Sequence, residues 1–128
     1  MWYAHSLPDR GQSDWQLLSR RLSKVSALSA ERGAKFGSEQ AAALAGLLHD
    51  LGKYTREFQA RLDGGERVDH ATAGAREVVA LATRVDDRCL AEVVSHAIAG
   101  HHAGMPDSVR EASLAARLKK QLPALDPA

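Results

Sequence analysis

The sequence predicts an all-α fold, a bundle of about six helices. Three observations support this prediction: apolar residues recur at intervals of three and four along most of the chain, residues that favour helix caps precede these segments, and no segment alternates like a strand over a useful length. A chain of 128 residues also has the usual size of one domain. We therefore expect residues 1–128 to fold as a single domain.

The first two predicted helices occupy the N-terminal part of the chain. Ser13 or Asp14 can cap the first helix, which ends at Gly33 or Gly37. Its apolar stripe consists of Trp15, Leu18, Leu22, Val25 and Leu28. The second helix, over residues 38–48, begins at a serine and is apolar on nearly all sides. We expect this second helix to be central and buried.

Two helices are predicted in the middle of the chain. A short third helix runs from Thr55 to about Leu62 and precedes a loop that contains two glycines. Asp69 can cap the fourth helix. The residues expected on the inner face of the fourth helix are Ala73, Val78, Leu81 and Val85.

The last two predicted helices are separated by a break at Gly100. The fifth helix starts at Asp86 or Asp87, and its inward residues are Leu90, Val93, Val94, Ala97 and Ile98. After a turn, Ser108 and Glu111 form a capping box for the sixth helix. Its inward residues are Leu114, Leu118 and Leu122, and the prolines that terminate it are Pro123 and Pro127.

The composition limits the classes of partner. Seventeen Lys and Arg against sixteen Asp and Glu leave a net charge of +1, so affinity for a polyanion must be local or supplied by a partner. Cys89 is the single cysteine, which excludes an internal disulfide and favours the reducing cytoplasm. Because no run approaches the roughly 20 apolar residues of a membrane span, we expect no contact with a membrane.

Histidines mark the ends of the predicted elements. Five of the six histidines lie there: His5, His49, His70, His101 and His102. Asp50 stands beside one of them. Helix ends from distant segments can converge on one point. Imidazole and carboxylate ligands without thiolate suit hydrolytic ions such as Mn, Fe, Co, Ni or Zn, and they exclude a thiolate zinc finger. We therefore predict one or two divalent transition-metal ions.

Asp50 is the predicted centre of this chemistry. Successive side chains on a helix point about 100° apart, so His49 and Asp50 can face neighbouring ions, which the two oxygens of Asp50 could bridge. Two such ions can clamp a phosphate and activate a water for hydrolysis. Lys53, one turn further on, is assigned to phosphate or transition-state charge, the alternative being a favourable cation at a helix C-terminus. Asp50 and Lys53 are the predicted catalytic residues.

Other polar residues are interpreted as structural. His96 lies within the fifth predicted helix, where a surface or hydrogen-bonded role is favoured over metal ligation. Arg20, Arg21 and Lys24 form a basic run that is typical of a solvated helix face. The lysine pair Lys119-Lys120 is also interpreted as part of a solvated surface.

The short sequence segments around these ligands resemble those of a known family. They are Tyr3-Ala4-His5-Ser6, Gly46-Leu47-Leu48-His49-Asp50-Leu51-Gly52-Lys53, Phe58-Gln59, Asp69-His70-Ala71-Thr72-Ala73-Gly74-Ala75 and Ala99-Gly100-His101-His102-Ala103-Gly104-Met105-Pro106-Asp107. The set is similar to the signature of the HD superfamily, and these segments resemble the HD nuclease domain of the type I CRISPR-associated helicase-nuclease. The resemblance spans residues 3–107.

The resemblance implies an HD-domain helical bundle with two metal sites. His5, His49 and Asp50 would hold one ion. The second ion would be held by Asp50, His70, His101 and His102. The implied activity is metal-dependent cutting of single-stranded DNA, after a crRNA-guided surveillance complex has opened the target and recruited the nuclease.

The chain departs from the family pattern in two respects. The family supplies a further aspartate to the first metal downstream of the histidine pair, and a helicase follows it. Neither Asp107 nor Asp126 matches that aspartate, and no phosphate-binding Gly-Lys-Ser or Gly-Lys-Thr loop occurs. We therefore expect the nuclease part or a fragment of it, with the helicase in the same or a separate chain.

Two other functions compete with the nuclease. An HD phosphohydrolase acting on nucleotides or a cyclic nucleotide needs the same metals but a small enclosed pocket. The sequence segments around the ligands speak against this function. A catalytically deficient metal-binding module that docks on a partner is motivated by the missing downstream aspartate.

Overall fold

The computed structural model describes residues 1–107, 109–111 and 113–126. Among these residues it contains six α-helices and one two-stranded sheet, so the all-α prediction is confirmed. The helices are α1 (Leu18–Ala34), α2 (Glu39–Leu48), α3 (Arg56–Leu62), α4 (Ala71–Leu81), α5 (Val85–Gly100) and α6 (Leu114–Leu118). The strands β1 (Tyr3–His5) and β2 (Gln16–Leu17) pair antiparallel. Short 3₁₀ helices lie at Gln12–Asp14 and Leu51–Lys53.

The sheet corrects the predicted start of the first helix. Residues 13–17 form a 3₁₀ turn and a strand, and α1 begins only at Leu18, whose amide donates to the carbonyl of Trp2. Trp15, predicted to begin the helical stripe, instead packs edge-on against Tyr3, with ring centroids 5.5 Å apart. Strands of three and two residues are too short to produce an alternating sequence pattern.

The main core lies between α2, α4, α5 and α6. Its buried members are Leu48, Ala75, Val78, Ala91, Val94, Ile98, Ala99 and Leu114. A smaller cluster of Ala4, Leu18 and Leu22 joins β1 to α1. The prediction that α2 is central and buried is only partly right, because Leu47 is 42% exposed.

Several residues assigned to inner faces lie outside. Leu81 and Val85 near the junction of α4 and α5 are exposed, and so are Leu90 and Val93. Leu28 at the far part of α1 is also exposed. Helical spacing identifies an apolar face but does not show which neighbour covers it, so these side chains were wrongly placed in the core.

Caps explain where α3, α4 and α6 begin. The Thr55 hydroxyl accepts the amide of Phe58, so α3 starts one residue later than predicted. The carboxylate of Asp69 accepts the amide of Thr72 in the first turn of α4. At α6 the capping hydroxyl belongs to Ser113. The predicted cap at 108 and the proline at 127 lie outside the described residues, and α6 is shorter than expected.

Close backbone contact brings the ends of these elements together. Gly52 follows α2, and its amide donates to the carbonyl of His70 at 3.1 Å. A Cβ on Gly52 would lie 2.6 Å from the Cα of His70, so only glycine allows this approach. The end of α2 therefore lies against the start of α4. In the described residues, no helix combines the length and apolar character needed to cross a bilayer.

Candidate metal centre

The predicted ligands converge at one end of the bundle. Asp50 follows α2, His70 precedes α4, and His101 and His102 follow α5. One ligand atom from each of these four residues lies within 4.8 Å of the others. Two ligands of one transition-metal ion lie roughly 3–4 Å apart when each bond is about 2.0–2.2 Å long. The spacing of the four residues therefore fits a divalent cation.

The two oxygens of Asp50 face different partners. Oδ2 lies 3.0 Å from Lys53 Nζ and 3.4 Å from Arg21 Nε. It also lies 3.1 Å from Nε2 of His49. Oδ1 lies 3.4 Å from Nε2 of both His70 and His101. One oxygen thus contacts a lysine, an arginine and the His49 imidazole, and the other faces two imidazoles.

Oδ1 of Asp50 lacks a hydrogen bond although it is buried. No described residue donates to it. A buried carboxylate oxygen without a donor is costly, and such a site is stabilised when it coordinates a cation. This atom is the strongest indication that the residues present fit a metal ion.

Backbone carbonyls orient three of the imidazoles. Nδ1 of His49 lies 2.7 Å from the carbonyl of Gly46, and Nδ1 of His101 lies 2.7 Å from the carbonyl of Ile98. The same nitrogen of His70 lies 3.3 Å from the Val68 carbonyl. A carbonyl accepts only from a protonated Nδ1, so in the neutral tautomer Nε2 carries a lone pair.

These lone pairs point towards Asp50, an arrangement typical of metal ligands. Without a cation between them, an imidazole lone pair and a carboxylate oxygen at 3.4 Å repel each other. Protonation of an imidazole or binding of a metal relieves this repulsion.

The electrostatics of the site favour a charged carboxylate. Burial opposes the ionisation of Asp50, but His101, His49 and Lys53 together hold its pKa far below the ordinary value of a carboxyl. Burial and the positive charge of Lys53 lower the pKa of His70 to about 4. Burial would also lower the pKa of His101, but its contacts with Asp50 and with a backbone carbonyl outweigh burial and raise it. At neutral pH, Asp50 is therefore an anion and His70 is neutral, the forms that bind metal.

The remaining predicted ligands differ in position. His49 contacts Asp50 from the Oδ2 side. His5 ends β1 and lies outside the group of four, although its pKa is lowered by burial and then by the charges of Lys53 and Arg21. Ligation of an ion by each of these histidines stays a prediction.

Lys53 is placed where the sequence predicted, but deep in the protein. Its side chain is 4% exposed, and its ammonium contacts Asp50 and donates to the carbonyl of Ala4 at 3.2 Å. The ammonium also lies 5.1 Å from the centre of the Phe58 ring. These contacts favour a role in positioning Asp50 over direct contact with a phosphate, so the predicted catalytic role stays a prediction.

Arg21 is the site residue that sequence reasoning missed. It was interpreted as part of a solvated basic face, but its guanidinium reaches Asp50 and its side chain is 32% exposed. Its neighbours in the basic run, Arg20 and Lys24, are exposed as expected. Helical spacing could have indicated only that Arg21 borders the buried face of α1, because it precedes the buried Leu22 and follows the buried Leu18 by three positions, and not that it reaches Asp50.

Comparison with known proteins identifies the family. The model of the HD domain matches residues 19–127, which include five of the six predicted ligand positions, from His49 to His102, and most of the helices described above. A search of the curated proteins gave no match. HD domains are generally metal-dependent hydrolases, in agreement with a cluster of histidines and aspartate that could hold a divalent metal. The chain therefore belongs to the HD domain family.

Proposed function

We propose that this protein is a metal-dependent nuclease that hydrolyses phosphodiester bonds of single-stranded DNA in CRISPR interference. The observation that carries the proposal is the buried Oδ1 of Asp50, which has no donor and faces imidazoles at an accessible end of the bundle. Membership of the HD domain family supports hydrolysis in general. The resemblance of residues 3–107 to the CRISPR-associated nuclease supports DNA as the substrate.

Four residues would hold one ion: Asp50, His70, His101 and His102. When bound, such an ion supplies Lewis-acid chemistry, because it stabilises negative charge on a phosphate oxygen and makes water a stronger acid. We favour a single ion, because Lys53 and Arg21 already neutralise the second oxygen of Asp50. A second cation at Oδ2 would have to displace or tolerate these two positive charges.

Residues around the metal ligands orient the ligand side chains and supply positive charge to the site. Lys53 fixes the Asp50 carboxylate, and the backbone carbonyls hold the imidazole planes. Arg21 is partly exposed beside the same carboxylate, where its guanidinium can bind a phosphate oxygen and stabilise the charge that develops there.

Accessibility favours a strand over a small nucleotide. As whole residues, His101 and His102 are exposed at the surface of the bundle. An extended polymer can reach ligands at the surface, whereas a nucleotide phosphohydrolase would enclose its substrate. The proposal extends to a cytoplasmic location, recruitment by a crRNA-guided surveillance complex and cooperation with a helicase, all supported by the resemblance alone.

Digestion of circular single-stranded DNA tests the proposal. The protein is incubated with the DNA and Mn²⁺, Co²⁺ or Ni²⁺, beside the Asp50→Asn variant and a His96→Ala control. His96 lies within α5, with its Nδ1 3.0 Å from the carbonyl of Glu92. We expect cutting by the wild type and the control, and none by Asp50→Asn.

Other outcomes would select the competing functions. Phosphate or nucleoside released from a nucleotide panel, without cutting of DNA, would identify a nucleotide phosphohydrolase. Stoichiometric metal binding without hydrolysis of any phosphoester would identify a docking module. Equal cutting by wild type and Asp50→Asn would show that the activity belongs to a contaminant.

A further inference from the structure

An arginine-lined cleft lies beside the metal centre. Its volume is about 360 Å³, and its walls include Arg61 at the end of α3, Arg67 in the following loop and Arg117 of α6. His70 and His102 line the same cleft. Because these two imidazoles also belong to the cluster around Asp50, the cleft and the metal centre share a wall.

The cleft is positively charged although the chain as a whole is almost neutral. Three arginines line it, and the acidic residue among the lining residues is Asp69. The net charge of the whole chain is only +1, so this concentration of arginine is local. A local cluster of this kind attracts an anion without making the whole protein basic.

Asp69 and Arg117 form a rigid part of the wall. The carboxylate of Asp69 accepts the hydroxyl of Thr72 at 2.7 Å and its amide at 3.1 Å, and it lies 3.7 Å from Arg117. Arg117 also donates to the carbonyl of Ala99 at 2.6 Å, and its side chain is 15% exposed. The single acid of the cleft is therefore already engaged, and its charge is balanced.

Arg61 and Arg67 differ from Arg117 in having no such role. Both are exposed, and neither forms an ion pair with a described residue. Two arginines that line a cleft, and whose guanidinium groups form no ion pair with a described carboxylate, are suited to bidentate binding of phosphate.

We propose that this cleft binds a second phosphate of the substrate, next to the phosphate that is hydrolysed. The inference rests on the proposed function and adds to it the place where the neighbouring phosphate of the strand is bound. A single strand of DNA running across His70 and His102 places one phosphate at the metal centre and its neighbour among the arginines. A nucleoside triphosphate offers the same chemistry in a smaller molecule, and the test separates these two sources.

The test compares substrates with one phosphate and with many. The variant Arg61→Ala/Arg67→Ala is assayed on a ten-nucleotide oligodeoxythymidylate and on bis(4-nitrophenyl) phosphate, which has one phosphate. Thymidine triphosphate is assayed as the smaller source of consecutive phosphates. Arg117 is retained because it also contacts the backbone of α5. The control Arg32→Ala/Lys35→Ala removes the same charge at the C-terminal end of α1, where neither residue lines the cleft.

We expect the variant to lose at least ten times more kcat/KM on the oligonucleotide than on the single-phosphate ester, chiefly through KM. The control should remain within twofold of the wild type on both substrates. Equal losses on the two substrates, or no loss on the oligonucleotide, would overturn the inference. A selective loss on thymidine triphosphate, with the oligonucleotide unaffected, would overturn the assignment of the cleft to a strand.

Binding provides a readout that does not depend on hydrolysis. The dissociation constant of the labelled oligonucleotide is measured by fluorescence anisotropy in the presence of EDTA at several salt concentrations. We expect the variant to bind about tenfold more weakly. The slope of the logarithm of the binding constant against the logarithm of the salt concentration should become shallower by about 0.7 for each phosphate that the variant no longer binds. If the wild type hydrolyses neither substrate, the proposed function fails, and the binding ratio still decides the cleft: unchanged affinity would overturn it.

Discussion

The ammonium of Lys53 lies 3.0 Å from Oδ2 of Asp50, and both side chains are almost completely buried. A buried ion pair of this kind offsets the cost of removing two charges from water, but loss of one partner leaves the other charge uncompensated. If the carboxylate is removed, the partners that Lys53 retains among the described residues are the Ala4 carbonyl and the Phe58 ring. The pair therefore links the stability of the fold to the geometry of the candidate metal centre.

A double-mutant cycle measures this link in the metal-free protein. Asp50→Asn should lower the free energy of unfolding by about 3–5 kcal/mol, because the ammonium is left buried and unpaired. Lys53→Met should cost less, because Arg21 still contacts the carboxylate. The double variant should recover about 1–3 kcal/mol relative to the sum of the single variants in urea unfolding.

The exposed pair of Arg56 and Asp126, 3.3 Å apart, is the control. Its loss through Asp126→Asn should cost less than about 1 kcal/mol, because solvent screens the pair. Additive effects of Asp50→Asn and Lys53→Met would contradict a coupled buried pair.

The pH dependence of stability tests the state of His70. Its pKa of about 4 in the folded protein lies below the ordinary 6.5, so the unfolded chain takes up a proton first as the pH falls. The stability contributed by neutral His70 is present above pH 6.5 and is lost as the pH falls towards 4. Between pH 7.5 and pH 5 this loss amounts to about 2 kcal/mol.

His70→Gln removes this titration. In the metal-free protein, the free energy of unfolding of the variant should therefore fall by about 2 kcal/mol less than that of the wild type over the same pH interval. The opposite shift of the His101 pKa is present in both proteins and largely cancels in the comparison. Parallel curves for the two proteins would show that His70 titrates alike in the folded and unfolded states.

Gly52 tests the close approach of the two segments that carry Asp50 and His70. An added methyl group would meet the backbone of residue 70, so Gly52→Ala should cost about 1–3 kcal/mol of stability. Because the two ligands would be pushed apart, the affinity for Mn²⁺ should fall by about tenfold. Gly11→Ala is a matched control, since its Cβ would meet only Ser13 Oγ at 3.8 Å. Unfolding curves and Mn²⁺ titration of Gly52→Ala that match those of the control would refute the packing argument.

Arg21 should have opposite effects on metal affinity and on catalysis. Its positive charge, 3.4 Å from Asp50, repels a nearby cation, so Arg21→Met should bind Mn²⁺ about threefold more tightly. The same substitution removes a donor for the phosphate and should lower the hydrolysis of bis(4-nitrophenyl) phosphate about tenfold. Arg20→Met, at an exposed neighbouring position, is the control for loss of charge. A variant that loses both metal affinity and activity would indicate a structural role only.

Sequence reasoning succeeded where local chemistry decides the outcome. The third helix begins next to Thr55, where its start was predicted, and Gly100 ends α5. The convergence of His70, His101 and His102 on Asp50 followed from ligand types at the ends of elements, together with the family resemblance.

Features set by packing between elements were not predictable. Arg21 reaches Asp50 only because α1 lies along α2, and no local pattern encodes that contact. Leu81 and Leu90 satisfied the helical pattern but line a groove between α2, α4 and α5 that no described residue fills. α1 begins later than predicted because β2 occupies the preceding residues. This strand forms only by pairing with β1, on the other side of the 3₁₀ turn.

The most direct test of the metal centre is an anomalous difference map at the manganese edge, from crystals grown with Mn²⁺. We predict one peak per chain, in contact with Oδ1 of Asp50 and with the imidazoles of His70, His101 and His102. A map without a peak at this position, or with manganese bound only elsewhere on the protein, would contradict the account.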